Sequence, residues 1–490
     1  MTNMFANALD KEANYTTTEN GAIALKSTTD ACLDLFGTIG SLRTREEDDI
    51  VRLFSMAYAE NSLTATRMAF YSRDIRNGCG ERRTFRTIIK WLANEHPAAV
   101  RPNIKYFGEF GRFDDLYELI GTKCEPQMWE FMKTQFDADV AAMNANKHVS
   151  LLAKWIKTPD ASSESTRKLG IATALNLGYK VPEFKRLLRK LRKYIDITEV
   201  KMSTKQWAEI NYSSVPSKAA MNYSGAFLRH DAVRYTDYLD AVKRGKEKIN
   251  ASTLFPYDII GKIMYNDGKT DIDVLEAQWK ALPDFVEKGS NSIVIADVSG
   301  SMHGRPMATS IGLALYFAEH NIGAFHNLCM VFSSDAEVIK IRGERLVDKI
   351  RDIEDSDIWY GSTNLAAAFY KILDIAVTNR IHPSEMVKSV IVISDMEIDE
   401  GCSNMTFHES MTKLYNEAGY ELPKVIYWNA DSRHDVFHAD KNTPNCQLIS
   451  GQSTTAFKHL IDAIDMSAVE LMMNVLYSAR YECITVDFED

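Results

Sequence analysis

No apolar run in this 490-residue chain approaches the roughly 20 residues that a helix needs to cross a bilayer. A helical membrane span is therefore excluded. The opening residues Met1-Thr-Asn-Met-Phe-Ala-Asn lack the basic-then-apolar plan of a signal peptide. The seven cysteines stand singly, at 32, 79, 124, 329, 402, 446 and 483, and no C-x-x-C occurs. That pattern excludes a thiolate zinc site and a disulfide framework, and it leads us to expect a reducing, cytoplasmic setting. Also missing are a phosphate-cradling G-x-x-x-x-G-K-[ST] loop, a G-x-S-x-G elbow and a carboxylate cluster for paired metals. We therefore do not expect an enzyme. What remains is an ordinary apolar content of 45% in a chain long enough for two large domains.

The net charge of −10 is unevenly spread. Residues 51–250 hold 34 Lys and Arg against 22 Asp and Glu, whereas residues 291–465 hold 14 against 24. A polyanion would find the first half, and cations the second. The alternative is that both halves are solvated surface.

The rhythm of the sequence also changes at midlength. Residues 1–34 are polar and Thr-rich and read as an extended arm. From 35 to 288 the helical period dominates. Stretches at 46–60, 64–76, 81–95, 101–109, 112–120, 126–143, 149–156, 165–176, 182–195, 204–210 and 231–248 are separated by short polar breaks. Successive helical pairs of this length predict a HEAT-like α-solenoid. From 289 to 465 apolar runs alternate with helices, with strands expected at 292–297, 324–332, 336–341, 388–394, 423–428 and 446–450. Helices are expected between them at 306–320, 343–352, 363–377, 405–418 and 453–465. This alternation predicts a doubly wound, Rossmann-like parallel sheet, so the fold class is α plus α/β. Residues 466–490 read as a helix followed by an extended tail.

The apolar run Ser292-Ile-Val-Ile-Ala-Asp297 ends in Asp297-Val-Ser299-Gly-Ser301. Two later sites complement it. Thr363 lies in Gly361-Ser-Thr-Asn-Leu, and Asp395 closes Val390-Ile-Val-Ile-Ser-Asp. Ligands of open α/β sheets bind beyond the carboxyl ends of the strands, where Asp297 and Asp395 fall. Three hydroxyls and two carboxylates are hard oxygen donors, suited to Mg²⁺, with Mn²⁺ or Ca²⁺ as alternatives. The pattern resembles the metal-ion-dependent adhesion site (MIDAS) of von Willebrand factor A (vWA) domains. The resemblance implies Ser299, Ser301 and Thr363 as direct ligands, Asp297 and Asp395 acting mainly through water, and an open position for a partner's carboxylate.

In the helical half, Lys185, Arg186, Arg189, Lys190, Arg192 and Lys193 crowd one helix whose apolar stripe is Phe184, Leu187, Leu188, Leu191 and Ile195. Lys185, Arg189, Arg192 and Lys193 are expected on the solvated face, where guanidinium and ammonium groups suit phosphates. The segment Ile195–Ala219, which runs into Tyr223-Ser-Gly-Ala-Phe-Leu-Arg-His-Asp, resembles the Ro (TROVE-domain) ribonucleoproteins. It resembles more closely still a family of bacterial, phage and plant proteins with the same layout. Tyr71–Arg86 shares the likeness, and so does the order of helical repeats before a vWA domain. The resemblance implies a ring of helices closed by the vWA domain, with small or single-stranded RNA on basic surfaces. It also implies a protein partner at the metal. The competing reading is a metal-dependent interaction adaptor, or a phage-associated structural protein, without RNA. Oligomeric state is open.

Other residues keep plainer expectations. Arg73, Asp74, Arg76, Arg82, Arg83 and Arg86 could line an RNA path or form internal ion pairs. His230, in Arg229-His230-Asp231, is expected to pack between helices, and Cys79 to be a turn thiol. His303 should shape the mouth of the metal loop. Asp395, Glu397, Asp399 and Glu400 add negative potential near it. His434 and His438 make only a weak zinc pattern.

Overall fold

Amphipathic stripes wind the first half of the chain into helices, and β-branched runs extend the second half into a sheet. The structure, a computed structural model, describes residues 9, 12–265, 271–286, 290–401, 405–462 and 465–487. The change of rhythm expected at Gly289 lies outside them.

Within the arm, β1 (Tyr15–Thr17) and β2 (Ile23–Leu25) pair antiparallel as a small hairpin. After it comes α1 (Ala31–Phe36), whose N-cap Asp30 accepts a bond from the Leu33 amide. The helical half then runs through α2 (Glu47–Glu60), α3 (Ser62–Arg73), α4 (Arg82–Glu95), α5 (Glu125–Asn144), α6 (Glu164–Asn176) and α7 (Val181–Tyr194). It continues with α8 (Ser217–His230), α9 (Ala232–Lys243), α10 (Pro256–Met264) and α11 (Ile272–Lys280). Glu47, Asp48 and Asp49 open α2, where the helix dipole favours acids. Three expected helices are wholly or partly 3₁₀: Arg101–Tyr106, Phe113–Leu119 and Trp207–Glu209.

The path departs from the sheet and returns to it. α1 packs on the last strand of the sheet, α2 to α4 pack on one another, and α5, α6 and α7 follow outward. α8, α9 and α11 enclose a small core of their own around Tyr212, Phe227, Tyr235, Leu239 and Val274. α10 then lies against α12 (Arg305–His320), the first helix of the sheet layer. Near this return the chain comes back against its own earlier part, where a Cβ on Gly80, in the turn between α3 and α4, would come within 2.8 Å of the Phe255 ring.

Strands β3 (Ser292–Asp297), β4 (Leu328–Phe332), β5 (Ala336–Lys340), β6 (Ser389–Ser394), β7 (Lys424–Asn429) and β8 (Cys446–Ser450) form one six-stranded sheet. Its order is β5-β4-β3-β6-β7-β8. Every residue of β3 and β6 is buried, which is why both runs read as continuously apolar. The fully parallel sheet expected from the alternation is corrected at one edge. β5 runs antiparallel to β4, joined to it by the tight turn at 333–335, so the sheet is mixed. Alternating helices α13 (Leu346–Glu354), α14 (Leu365–Thr378), α15 (Phe407–Glu417) and α16 (Thr455–Asp462) complete this layer.

The tail forms α17 (Ala468–Leu476), which packs on α1, α3 and β8. Beyond it the chain crosses onto the helical half. Arg480 pairs with Asp74 at 2.8 Å, and the Tyr481 ring stacks on Phe110 at 5.6 Å. The Asn103 amide donates to the Thr485 carbonyl. The principal apolar core runs without a break from Ala22 to Ile484 and includes residues of both halves.

Candidate metal centre and basic cleft

Chain order reverses between β3 and β6, because β3 continues to β4 on one side while β6 leads to β7 on the other. Such a switch point opens a crevice at the strand ends. Asp297 ends β3, and Asp395 follows the last residue of β6. The register pairs Ala296 with Ile393, which brings Ser394 beside Asp297. The Ser394 hydroxyl donates to Asp297 Oδ2 at 2.6 Å, and the Ser299 amide donates to Oδ1 at 2.8 Å. Ser394 is a partner that the D-x-S-x-S motif does not contain. Its signal was available in two apolar runs that end in step, one in Ala-Asp and the other in Ser-Asp.

The hydroxyls of Ser299 and Ser301 stand 3.2 Å apart. The loop bearing Thr363 is pinned to the same turn. The Gly300 amide donates to the Gly361 carbonyl at 3.0 Å, and the Tyr360 amide to the Val298 carbonyl at 2.8 Å. Gly361 is required by close approach, because a Cβ there would lie 2.3 Å from the Ser334 hydroxyl. Thr363 is held in turn by Asp399. Its amide donates to Asp399 Oδ1, and its carbonyl accepts from the Asp399 amide, both at 2.9 Å. Asp395 Oδ2 accepts from Arg433 at 2.9 Å.

Asp297, Ser299, Thr363 and Asp395 are all almost fully buried, while Ser301 opens to solvent. Burial, and then the Asp395 charge beside it, push the Asp297 carboxyl well above the usual carboxylate range. Two buried acids of like charge are costly unless a proton or a cation lies with them. Arg433 meets part of that need at Asp395; a hard divalent cation would meet the rest, and the neighbouring hydroxyls are donors of the same class. The residues present therefore fit Mg²⁺. When bound, such an ion would supply a Lewis-acidic point for an outside carboxylate or phosphate. The chain's own residues set the donors, bury them on one side and leave Ser301 at the open side.

The rim carries further groups. His303 lies between the rings of Tyr265 and Tyr360, with centroids 6.0 and 6.5 Å away. Tyr360 is exposed and held at φ 62°, a left-handed conformation that is costly for an aromatic residue. Glu397 is fully buried. It binds His434 Nδ1 at 2.9 Å and accepts from the Glu19 amide at 2.6 Å. Glu19, Glu397 and His434 thus group their ligand atoms within 4.8 Å of one another. His438 faces inward instead, donating from Nε2 to the Met396 carbonyl at 3.0 Å.

The basic helix is α7, and Phe184, Leu188 and Leu191 are its buried stripe. Arg186, Arg189, Lys190 and Lys193 are exposed, and none is ion-paired with a described residue. Lys185 pairs with Asp160 at 3.1 Å. Arg192, expected on the solvated face, is corrected by the structure. It turns inward and donates to the carbonyls of Ala153 and Ile156 at 2.9 and 2.7 Å. Those carbonyls belong to the short helix Leu152–Trp155 and its C-cap, so Arg192 caps that helix. The four free cations line an open cleft of about 630 Å³, whose other wall includes Val200, Lys201, Thr204 and Gln206. Lys201 is neutralised there by Asp196 at 2.6 Å.

The arginines around the Gly-rich turn are paired within the chain. Arg73 and Arg86 both grip Asp115, at 2.8 and 2.7 Å, and Arg82 pairs with Asp114 at 2.8 Å. His230 stacks on Trp207 at 4.4 Å. Cys79 is buried, and burial pushes its thiol far up.

With this geometry in view, two family models match the chain. Residues 291–480 match the model described as Domain of unknown function (DUF7788). Residues 18–138 and 172–291 match that described as Domain of unknown function (DUF2828). The chain is also similar to an uncharacterized protein of Acanthamoeba polyphaga mimivirus. The two are 28% identical over 508 residues, covering 95% of this chain and 87% of that protein.

Proposed function

We propose that the chain is a Ro-like, non-catalytic RNA-binding protein of the cytoplasm. Its helical half holds small or single-stranded RNA, and its sheet layer, read as a vWA domain, recruits a protein partner through Mg²⁺. The observation that carries the reading is the cleft beside α7, where four unpaired cations face solvent in a space of about 630 Å³. A space of that volume is enough for the backbone and bases of a short single-stranded stretch. Unpaired cations are available to phosphate because no internal carboxylate must first be displaced. The departure and return of the helical path at the sheet support a closed arc. The buried Asp297–Asp395 pair with its hydroxyls supports the cation site.

The test is a binding series with single-stranded and duplex RNA at low salt. Tight binding of the single strand, weakened by Arg189→Ala/Lys190→Ala, is expected. No retention of either RNA at low salt sinks the reading.

A second reading, a metal-dependent adaptor without RNA, draws on the acidic rim. A partner captured with Mg²⁺, lost in Asp297→Ala and indifferent to the α7 substitutions, would favour it.

A further inference from the structure

The hairpin between β1 and β2 lies across the rim of the cation site, some 380 residues away in sequence. The Thr18 hydroxyl donates to the Ile398 carbonyl at 2.6 Å, and the Glu400 amide donates to the Asn20 carbonyl at 3.1 Å. Gly21 bridges Asp399, the residue that clamps Thr363. The Asn20 side-chain amide is anchored on the Glu397 carbonyl at 2.7 Å and reaches the Thr363 hydroxyl at 3.4 Å. Glu19 pairs with Arg433 at 2.6 Å, and the other arm of that guanidinium holds Asp395 at 2.9 Å.

We propose that this turn is a built-in part of the cation site, with Asn20 positioning Thr363 and Glu19 acting through Arg433 on Asp395. The proposal rests on the cation reading above. A threonine hydroxyl has one proton and two lone pairs. An amide donor on one lone pair fixes the rotamer and leaves the other for a cation. Partners of this kind orient ligands in known metal sites, and losing one commonly weakens affinity by about 10- to 100-fold. Glu19 has a different task. Arg433 fixes Asp395 but places a positive charge beside the site. Glu19 cancels that charge, so a cation meets a carboxylate that is oriented without being opposed.

The test is Mn²⁺ titration of the full chain, followed by electron paramagnetic resonance, with thermal melting of the metal-free protein alongside. Asn20→Ala should bind Mn²⁺ about tenfold more weakly at an unchanged melting midpoint. Glu19→Gln should also weaken binding, and Glu19→Gln/Arg433→Gln should restore it toward wild type, because the uncancelled charge is gone. A purely structural turn would make the double variant worse than the single one, and that result overturns the proposal. Affinities of both single variants within twofold of wild type, with Asp297→Ala abolishing uptake, overturn it too while sparing the cation reading. A wild-type chain that takes up no Mn²⁺ overturns both.

Discussion

The α7 cleft makes a quantitative claim about salt. Arg186, Arg189, Lys190 and Lys193 are the cations free to meet phosphate, because Arg192 is spent on two carbonyls and Lys185 on Asp160. Each phosphate neutralised on a single strand adds about −0.7 to the slope of log K against log salt. Four contacts give a slope of about −2.8, and so a loss of about 50-fold between roughly 50 and 200 mM salt. Arg189→Ala/Lys190→Ala halves the slope to about −1.4, and the loss over the same range falls to about sevenfold. Fluorescence anisotropy with a short labelled oligouridine measures both. The reasoning is refuted if the double variant keeps the wild-type slope, since the phosphates would then lie elsewhere. A wild-type slope near zero refutes it equally.

Arg192→Ala should leave that slope unchanged and instead lower stability by about 2 kcal/mol, as two charge-assisted bonds to buried carbonyls are lost; urea denaturation reads the difference. Tyr481→Ala removes a buried ring stacked on Phe110 and bonded to Asp74, and should cost about 3–5 kcal/mol by the same measurement. His438 is fully buried, and burial lowers its pKa to about 4 from a usual 6.5. Between those values the unfolded chain binds the extra proton, so this residue's contribution to stability is intact above pH 6.5 and lost as pH falls toward 4. The full effect is about 3 kcal/mol at most. Wild type minus His438→Gln should show that acid loss in paired melts; a difference independent of pH counts against it.

The sheet was legible because strands buried on both faces must be apolar throughout, and all six strands fell within a few residues of their expected places. The antiparallel edge was not legible, since a short amphipathic strand such as Ala336–Lys340 has the same alternation in either direction. Helix α8 was not legible because small residues dilute its stripe. Asp297, Ser299, Ser301, Thr363 and Asp395 were legible as strand-end and turn residues. Asn20, Glu19 and Arg433 were not, because nothing local in residues 18–21 reports a contact formed almost 400 positions later. Arg192 differs from its neighbours only by facing the C-cap of another helix, which periodicity alone does not reveal.

Because the hairpin at 15–25 meets Ile398, Glu400 and Phe437, its partners leave the ribosome long after it does. At about 5–20 residues per second the interval is some tens of seconds. Through that interval Leu25, buried in the finished fold, lacks the Phe437 backbone that it bridges. The rim therefore matures only after synthesis has passed residue 437, and a nascent chain arrested before that point would hold an unfinished crevice at the ends of β3 and β6.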